Sequence, residues 1–288
     1  MAKNILYITY FLMLSTLSSS CIKDGDEECV VSHTVNIKIK DKNYFNVSSF
    51  PEVAPVDEQL PFRCFSSNIY YLLRNTDTGQ TTYESTIMEI TDNNISHSLQ
   101  LTNIPKGNYE LSVWGNLTTG VSPGTLHADG KEYTDLFVAN SSLKIGLCPS
   151  SHTLSMERTK GKLFILCTNF PENYTRLQAN IKHINQTSDE HLVYKGDTEV
   201  TIDQPLKNIN EILLAPTPTE GSTLIYISFH TPESRSAVLP LIIPETKITM
   251  SRNKLTAIRV DYNNLNQTWD ISVYADGRWT LIHHLDIS

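Results

Sequence analysis

Apolar positions along the chain recur with a period of two, again and again. Val35, Ile37 and Ile39 alternate with Asn36, Lys38 and Lys40; Tyr109, Leu111 and Val113 alternate with Glu110 and Ser112. The same rhythm runs through Ile258, Val260 and Tyr262 and through Trp269, Ile271 and Val273. Such alternation puts the apolar side chains on one face of a β-strand. Denser apolar runs, "IYYLL" at 69–73, "KLFILC" at 162–167, "TLIYISF" at 223–229 and "AVLPLII" at 237–243, predict central strands. Pro240 marks the last of these as an edge or bulged strand, because proline cannot donate to a ladder. Asp77-Thr78-Gly79, Pro105-Lys106-Gly107, Pro123-Gly124, Ala128-Asp129-Gly130 and Asp276-Gly277 supply the turns. Helical spacing is never sustained; a short helix at 85–91 or at 173–181 is the most the pattern allows. Many short strands separated by turns predict an all-β chain of β-sandwiches.

The length suits two sandwiches in series. The polar stretch "CPSSHT" around Pro149 places the boundary there, giving an N-terminal sandwich over 33–150 and a C-terminal one over 151–288. Gly161 falls where a bulge or bend would open the second strand system. No short sequence repeat is visible, although two similar sandwiches can lie beneath dissimilar sequences. Strand character continues to the C-terminus, where Trp279, Leu281, His283, Leu285 and Ile287 alternate with polar and mixed positions. Two readings are open for this segment: the last strand of the second sandwich, or a strand that pairs with another subunit.

The extreme N-terminus breaks the pattern. "MAKNILYITYFLMLSTL" is an apolar run too short to span a bilayer, which takes about 20 residues. It has the form of a signal peptide over 1–20, the alternative being a buried first element of the fold. Leu17-Ser18-Ser19-Ser20-Cys21 resembles a bacterial lipobox, with Leu one place further from the cysteine than usual, as in the looser boxes of Bacteroidetes lipoproteins. That resemblance implies acylation of Cys21; ordinary secretion, with Cys21 in a disulfide, is the alternative. Each buried methylene contributes about 0.8 kcal/mol, so an acylated cysteine anchors a chain without a spanning helix. Residues 21–32 carry Lys23, Asp24, Asp26, Glu27 and Glu28 and form an acidic tether, extended by self-repulsion. The same run resembles the signal that directs such lipoproteins to the outer face of the outer membrane.

Charge and composition narrow the function. The net charge is −8 and no basic cluster exists, which excludes a nucleic-acid partner. With Cys21 lipidated, four cysteines remain, and their most local pairing is Cys29–Cys64 with Cys148–Cys167, one of several that four thiols allow. Neither a Cys-x-x-Cys nor a Cys/His zinc spacing occurs, so no metal site is expected. The nucleophile elbow, the phosphate-cradling loop and the His-Glu-x-x-His helix are all missing. His283 and His284 are adjacent on a strand and point to opposite faces. Cys148 and His152 offer no third group to orient a base, so a disulfide or an inert thiol is the better reading. Asp26, Glu27 and Glu28 read as solvated tether rather than calcium ligands. Trp114, Trp269 and Trp279 would form a sugar-stacking platform if exposed together, but Trp114 and Trp269 sit in alternating strands and are expected to pack inward. No catalysis and no cofactor is expected.

Three segments then occur in a telling order: "LTNIPKGNYELSVWGNL" at 101–117, "YTDLFVANSSLKI" at 133–145 and "HTLSMERTKGKLFIL" at 152–166. With the lipobox cysteine, a second cysteine eight residues later and the terminal "VYADGRWTLIHHLDIS", they resemble the FimB/Mfa2 family of Bacteroidetes fimbrial anchor lipoproteins. The resemblance implies two tandem transthyretin-like β-sandwiches, held in the outer membrane through acyl chains on Cys21 at the base of a fimbrium on the cell surface. It further implies partnership with fimbrial subunits by strand complementation, in which main-chain hydrogen bonds give affinity and side-chain pockets give register. The alternative function is a surface glycan-binding lipoprotein built on the same sandwiches.

Overall fold

Val35, Ile37 and Ile39 do face one way: they point into a core, while Asn36 and Lys38 between them stay outside it. They belong to β1 (Ser32–Ile39), the first strand in a computed structural model that describes residues 31–128, 132–232, 240–275 and 277–286. Cys21 and Cys29, and with them the lipobox and nearly all of the tether, lie outside the described residues.

The first half continues with β2 (Asn68–Asn75), β3 (Thr81–Glu84), β4 (Met88–Glu89), β5 (His97–Thr102), β6 (Gly107–Gly115), β7 (Phe137–Ile145) and β8 (Ser151–Arg158). One sheet runs β3-β2-β6-β7, all antiparallel. The facing sheet is β8-β1-β5, with β1 parallel to β8 and antiparallel to β5. The two meet only at a corner, where Phe137 and Val138 pair with Arg158 and Glu157. Ile37, Leu73, Leu111, Val113 and Met156 fill the space between them.

The second half comprises β9 (Gly161–Thr168), β10 (Arg176–Ile184), β11 (Thr187–Ser188), β12 (Tyr194–Lys195), β13 (Thr198–Pro205), β14 (Ile209–Leu214), β15 (Thr223–His230), β16 (Leu241–Ile248), β17 (Leu255–Asn263), β18 (Thr268–Ala275) and β19 (Arg278–Asp286). Its sheets are β13-β10-β15-β16 and β14-β9-β17-β18-β19. The connectivity repeats that of the first half. β9 is antiparallel to β14 and parallel to β17, as β1 is to β5 and β8. β10 lies between β13 and β15, and β15 pairs with β16, as β2 lies between β3 and β6 and β6 pairs with β7. Among the described residues, β4 in the first half and the β11–β12 and β18–β19 hairpins in the second have no counterpart. The described residues from Ser32 onward form one compact unit.

Three expectations need correction. Neither short helix forms. Leu177, Ala179 and Ile181 are buried at alternate positions of β10, a strand period that overrides the helical reading of 173–181. In 85–91 the Ser85 amide donates to the Tyr71 carbonyl, and the Ser85 hydroxyl accepts from the Tyr71 amide, so the segment runs beside β2. The strand at 151–158 belongs to the first sandwich, because it pairs with β1 along Ser151 to Met156; the change of sheets falls at 159–161. Gly161 marks it through close approach rather than a bulge: a Cβ there would stand 2.3 Å from the Ser251 carbonyl oxygen. The edge position expected from Pro240 is found, since β16, which follows it, is the outer strand of its sheet.

Candidate functional site

For a protein read as an assembly component, the chemistry lies in its backbone edges and in the faces beside them. β19 pairs with β18 on one side only and is the outer strand of its sheet. Its register breaks between Ile271 and Ser272: Ile271 opposes His283, Ser272 opposes Leu281, and Ile282 is bulged out. Opposed residues share a face, so the bulge reverses the alternation. Trp279 and Leu281 lie on the outer face with Tyr274 and Ser272, whereas His283 and Leu285 turn inward with Ile271 and Trp269. The expected single stripe of Trp279, Leu281, His283 and Leu285 is therefore split in two, and Ile287 lies outside the described residues. Trp279 packs edge-on against Tyr274 at 5.3 Å, with the Arg259 guanidinium 4.0 Å from its ring centre. Leu281 remains 56% exposed. His284 Nδ1 lies 2.6 Å from Asp270 Oδ1, and that carboxylate raises the imidazole above its usual pKa.

The first sandwich has an edge that the second does not. The Thr34 amide donates to the Ser150 carbonyl and the Lys40 amide to the Met156 carbonyl, so the even-numbered residues of β8 turn their backbone toward β1. Ser151, Thr153 and Ser155 turn theirs the other way. Among the described residues no strand pairs with that edge until Glu157 and Arg158 meet β7. At the corresponding edge of β17 sits β18.

Between the sandwiches runs a buried polar junction. Arg158, 4% exposed, donates through Nε to Asp135 Oδ2 at 2.7 Å and through Nη1 to Asn253 Oδ1 at 2.6 Å. Its guanidinium lies 4.1 Å from the Tyr44 ring centre. The Arg158 amide donates to Asp41 Oδ2, which also holds Arg252 at 2.8 Å. Close by, buried Glu132 accepts from Lys160 at 3.3 Å and from His127 Nδ1 at 2.5 Å, while His127 Nε2 accepts the Ala215 amide. His127 is thus the Nδ1–H tautomer, a ring bridging the Glu132 carboxylate and a backbone donor.

The β11–β12 hairpin also crosses from the second sandwich onto the outer face of the first. The Leu126 amide donates to the Gln186 carbonyl and the Ser188 amide to the Gly124 carbonyl. Gly124 has φ +85°, and a Cβ there would lie 2.2 Å from the Ser188 carbonyl oxygen, so only glycine admits the hairpin. A slot of about 330 Å³ opens beneath it. Tyr70, Leu72 and Trp114 line its floor, Arg74 and Lys195 its sides, and Asp189 and Glu190 its rim. The Tyr70 hydroxyl donates to Glu84 at 2.7 Å; burial and that carboxylate push its pKa up to about 12. Beside the slot Glu110, Glu190 and His191 bring one ligand atom each within 4.8 Å of one another, near enough to share a cation.

The remaining site expectations divide. Trp114 and Trp269 are buried, as their alternation predicts, so the three tryptophans make no exposed sugar platform. The Cys148–Cys167 bridge does not form: Cys148 is an exposed free thiol, and Cys167 is buried in the second core on the inner face of β9. Burial pushes the Cys167 thiol up to about 12. Cys64 is free and exposed, and its proposed partner Cys29 lies outside the described residues. The slot went unseen in the sequence because its walls come from strands more than a hundred residues apart. The one local hint was Arg74, in phase with Tyr70 and Leu72 on the outward side of an apolar strand.

No protein-family model matches the chain, and no curated protein matches it. Solved structures do. A candidate adhesin from Bacteroides thetaiotaomicron is similar at TM-score 0.56 and 11% identity, over 90% of this chain and 100% of that one. A fimbrial assembly protein from Parabacteroides distasonis matches at 0.51 and 13%, over 88% and 99%. A Bacteroides thetaiotaomicron structure described as a candidate polysaccharide-binding protein matches at 0.51 and 12%, over 87% and 98%. The two-sandwich architecture implied by the FimB/Mfa2 resemblance is the architecture found: this chain has the fold of Bacteroidetes fimbrial-assembly and adhesin-type proteins.

Proposed function

We propose that this chain is a non-catalytic fimbrial anchor or minor subunit of the FimB/Mfa2 kind, tethered to the outer membrane through acyl chains on Cys21 and joined to other fimbrial subunits by strand addition. One observation carries the assembly half of this reading. The two sandwiches share their connectivity, yet among the described residues no strand fills along Ser151–Ser155 in the first the edge that β18 fills in the second. An added antiparallel strand there would satisfy backbone groups on both partners, and its side chains would set the register. The outer edge of β19 offers a second such position. The fold of the matched fimbrial assembly protein supports the same reading.

Two experiments test it. Cys21→Ala should move the protein from the membrane fraction to the soluble fraction; retention in the membrane sinks the anchor. Thr153→Pro removes one outward amide without disturbing the amides that face β1. It should abolish co-isolation of fimbrial subunits from intact cells while leaving the fold intact. Unchanged co-isolation sinks the β8 edge as the joint.

A second reading, a surface glycan-binding lipoprotein, is favoured by the slot over β2 and β6 with its aromatic floor and polar rim. The polysaccharide-binding description of one matched structure points the same way.

A further inference from the structure

We infer that the slot beneath the β11–β12 hairpin takes an acidic saccharide, a uronate-bearing disaccharide, seated on Tyr70 and Leu72 with its carboxylate between Arg74 and Lys195. This rests on the glycan reading and specifies its ligand. The slot is of the size that small-ligand sites have, about 300 Å³ upward. Its floor is apolar and partly aromatic, the surface on which a sugar's C–H face packs. Its two cations, Arg74 and Lys195, and its two carboxylates, Asp189 and Glu190, stand apart, with no ion pair between them among the described residues. Among the described residues Arg74 and Lys195 have no carboxylate partner, although both border the slot and the protein is acidic overall. Two unpaired cations lining one slot offer partners to a carboxylate, and the planar guanidinium fork matches it, while the two carboxylates there call for a ligand that also carries hydroxyl donors.

The rim supplies the complementary chemistry. Asp189 Oδ1 is committed to the amides of His191 and Val193, which fixes the turn and leaves Oδ2 to accept from a ligand. Glu190 adds a second acceptor. Acceptors of this kind suit hydroxyl donors and repel a compact inorganic anion, so phosphate or sulfate alone does not fit. The site is also pre-formed, because the hairpin is held by backbone hydrogen bonds to Gly124 and Leu126 rather than by the ligand.

Isothermal titration of the intact protein with digalacturonate and with neutral lactose, at low and at physiological salt, tests this. The expected result is saturable digalacturonate binding at least tenfold tighter than lactose and weakened by salt. Arg74→Gln and Lys195→Gln should each weaken it about tenfold, and Lys144→Gln, outside the slot, should not. Both slot residues are exposed, so their removal leaves the fold intact, which circular dichroism checks. Equal binding of the two sugars, or indifference to both slot variants, overturns the acidic assignment and leaves the glycan reading standing. No binding of either sugar overturns both.

Discussion

Arg158 ties the two sandwiches together, and its removal has a calculable consequence. It comes from the last residue of β8, reaches Asp135 before β7 and Asn253 before β17, and covers the Tyr44 ring. Breaking a buried ion pair by deleting one partner costs about 3–5 kcal/mol, because the other charge is left in a poor solvent. Water reaches about a quarter of the Asp135 side chain, which places the expected loss for Arg158→Ala near the lower end, about 3 kcal/mol. For a chain of this size about 2–4 °C of melting temperature accompanies each kcal/mol, so the midpoint should fall by about 6–12 °C. Arg158→Lys keeps the charge but loses the fork, leaving Asn253 Oδ1 unpaired; about 1.5 kcal/mol is expected.

The loss should also carry a pH signature. Burial raises the Asp135 carboxyl, and Arg158 is the leading group that lowers it again. Without Arg158 its folded-state pKa rises further above the unfolded value. A carboxyl raised by folding destabilises the native state once pH exceeds the unfolded pKa, and the full penalty is reached above the folded one. Urea unfolding of the wild type and Arg158→Ala at pH 5 and pH 8 should therefore show the larger difference at pH 8. A loss under about 1 kcal/mol, the value of an exposed pair, or a difference independent of pH, would refute the assignment of this cluster as the junction.

Other consequences are smaller in scope. Cys148 should react with a thiol reagent in the native protein, while Cys167 should react only after unfolding; mass spectrometry after native alkylation reads this directly, and a Cys148–Cys167 peptide would contradict it. Cys167→Ser should cost about 1–3 kcal/mol by burying a hydroxyl in the second core, where the Asn210 amide nitrogen stands 3.7 Å from the native sulfur, whereas Cys148→Ser should stay within about 0.5 kcal/mol. Gly124→Ala should loosen the hairpin, seen as faster amide exchange at Leu126 and Ser188, because its Cβ would overlap the Ser188 carbonyl. His284 should titrate above the usual imidazole value, and Asp270→Asn, which removes the largest cause, should lower it. Since folding raises this pKa, the contribution is complete below the unfolded value and fades as pH climbs through the folded one. Protection of the β18–β19 amides should thus be lower at pH 8 than at pH 6.

Period-two alternation located nearly every long strand, because in a sandwich one face of each strand is buried and the pleat translates that into sequence without intermediate steps. Trp114 and Trp269 were legible as core for the same reason. What failed were features decided by partners distant in the chain. The strand at 151–158 follows a polar, proline-bearing link and reads as the start of something new, yet its apolar face, Leu154 and Met156, closes onto Ile37 and Ile39 more than a hundred residues earlier. Cys148 and Cys167 are close in sequence, but β8 lies between them and carries the chain across the first sandwich before Cys167 enters the second core. Arg158, Lys160 and Glu132 are ordinary surface residue types, and only the meeting of two sheets buries them.

The bulge at Ile282 shows why the C-terminal strand could not be read from alternation alone. A strand that kept strict period two from Trp279 to Leu285 would put all its large side chains on one face, and the other face would hold Thr280, Ile282 and His284. Two different surfaces need apolar cover here: the outer patch of Phe50, Phe164 and Tyr274, and the inner core around Trp269. One extra residue lets a single strand serve both, Trp279 closing the first and Leu285 the second. The bulge also twists the free edge of β19 and leaves Leu281 and Ile282 exposed beside it. A twisted, interrupted edge resists indiscriminate pairing with other chains, whereas Ser151–Ser155 of β8 has no interruption in its register with β1. Of the β8 and β19 edges, the regular one on the first sandwich is the better template for an added strand. Deleting Ile282 would close the bulge with Leu281 still opposite Ser272 and His283 still opposite Ile271, so Trp279 and Leu285 should keep their two surfaces and the melting temperature should change little, whereas a large loss of stability would show that the bulge itself, and not only the faces it sets, holds this strand.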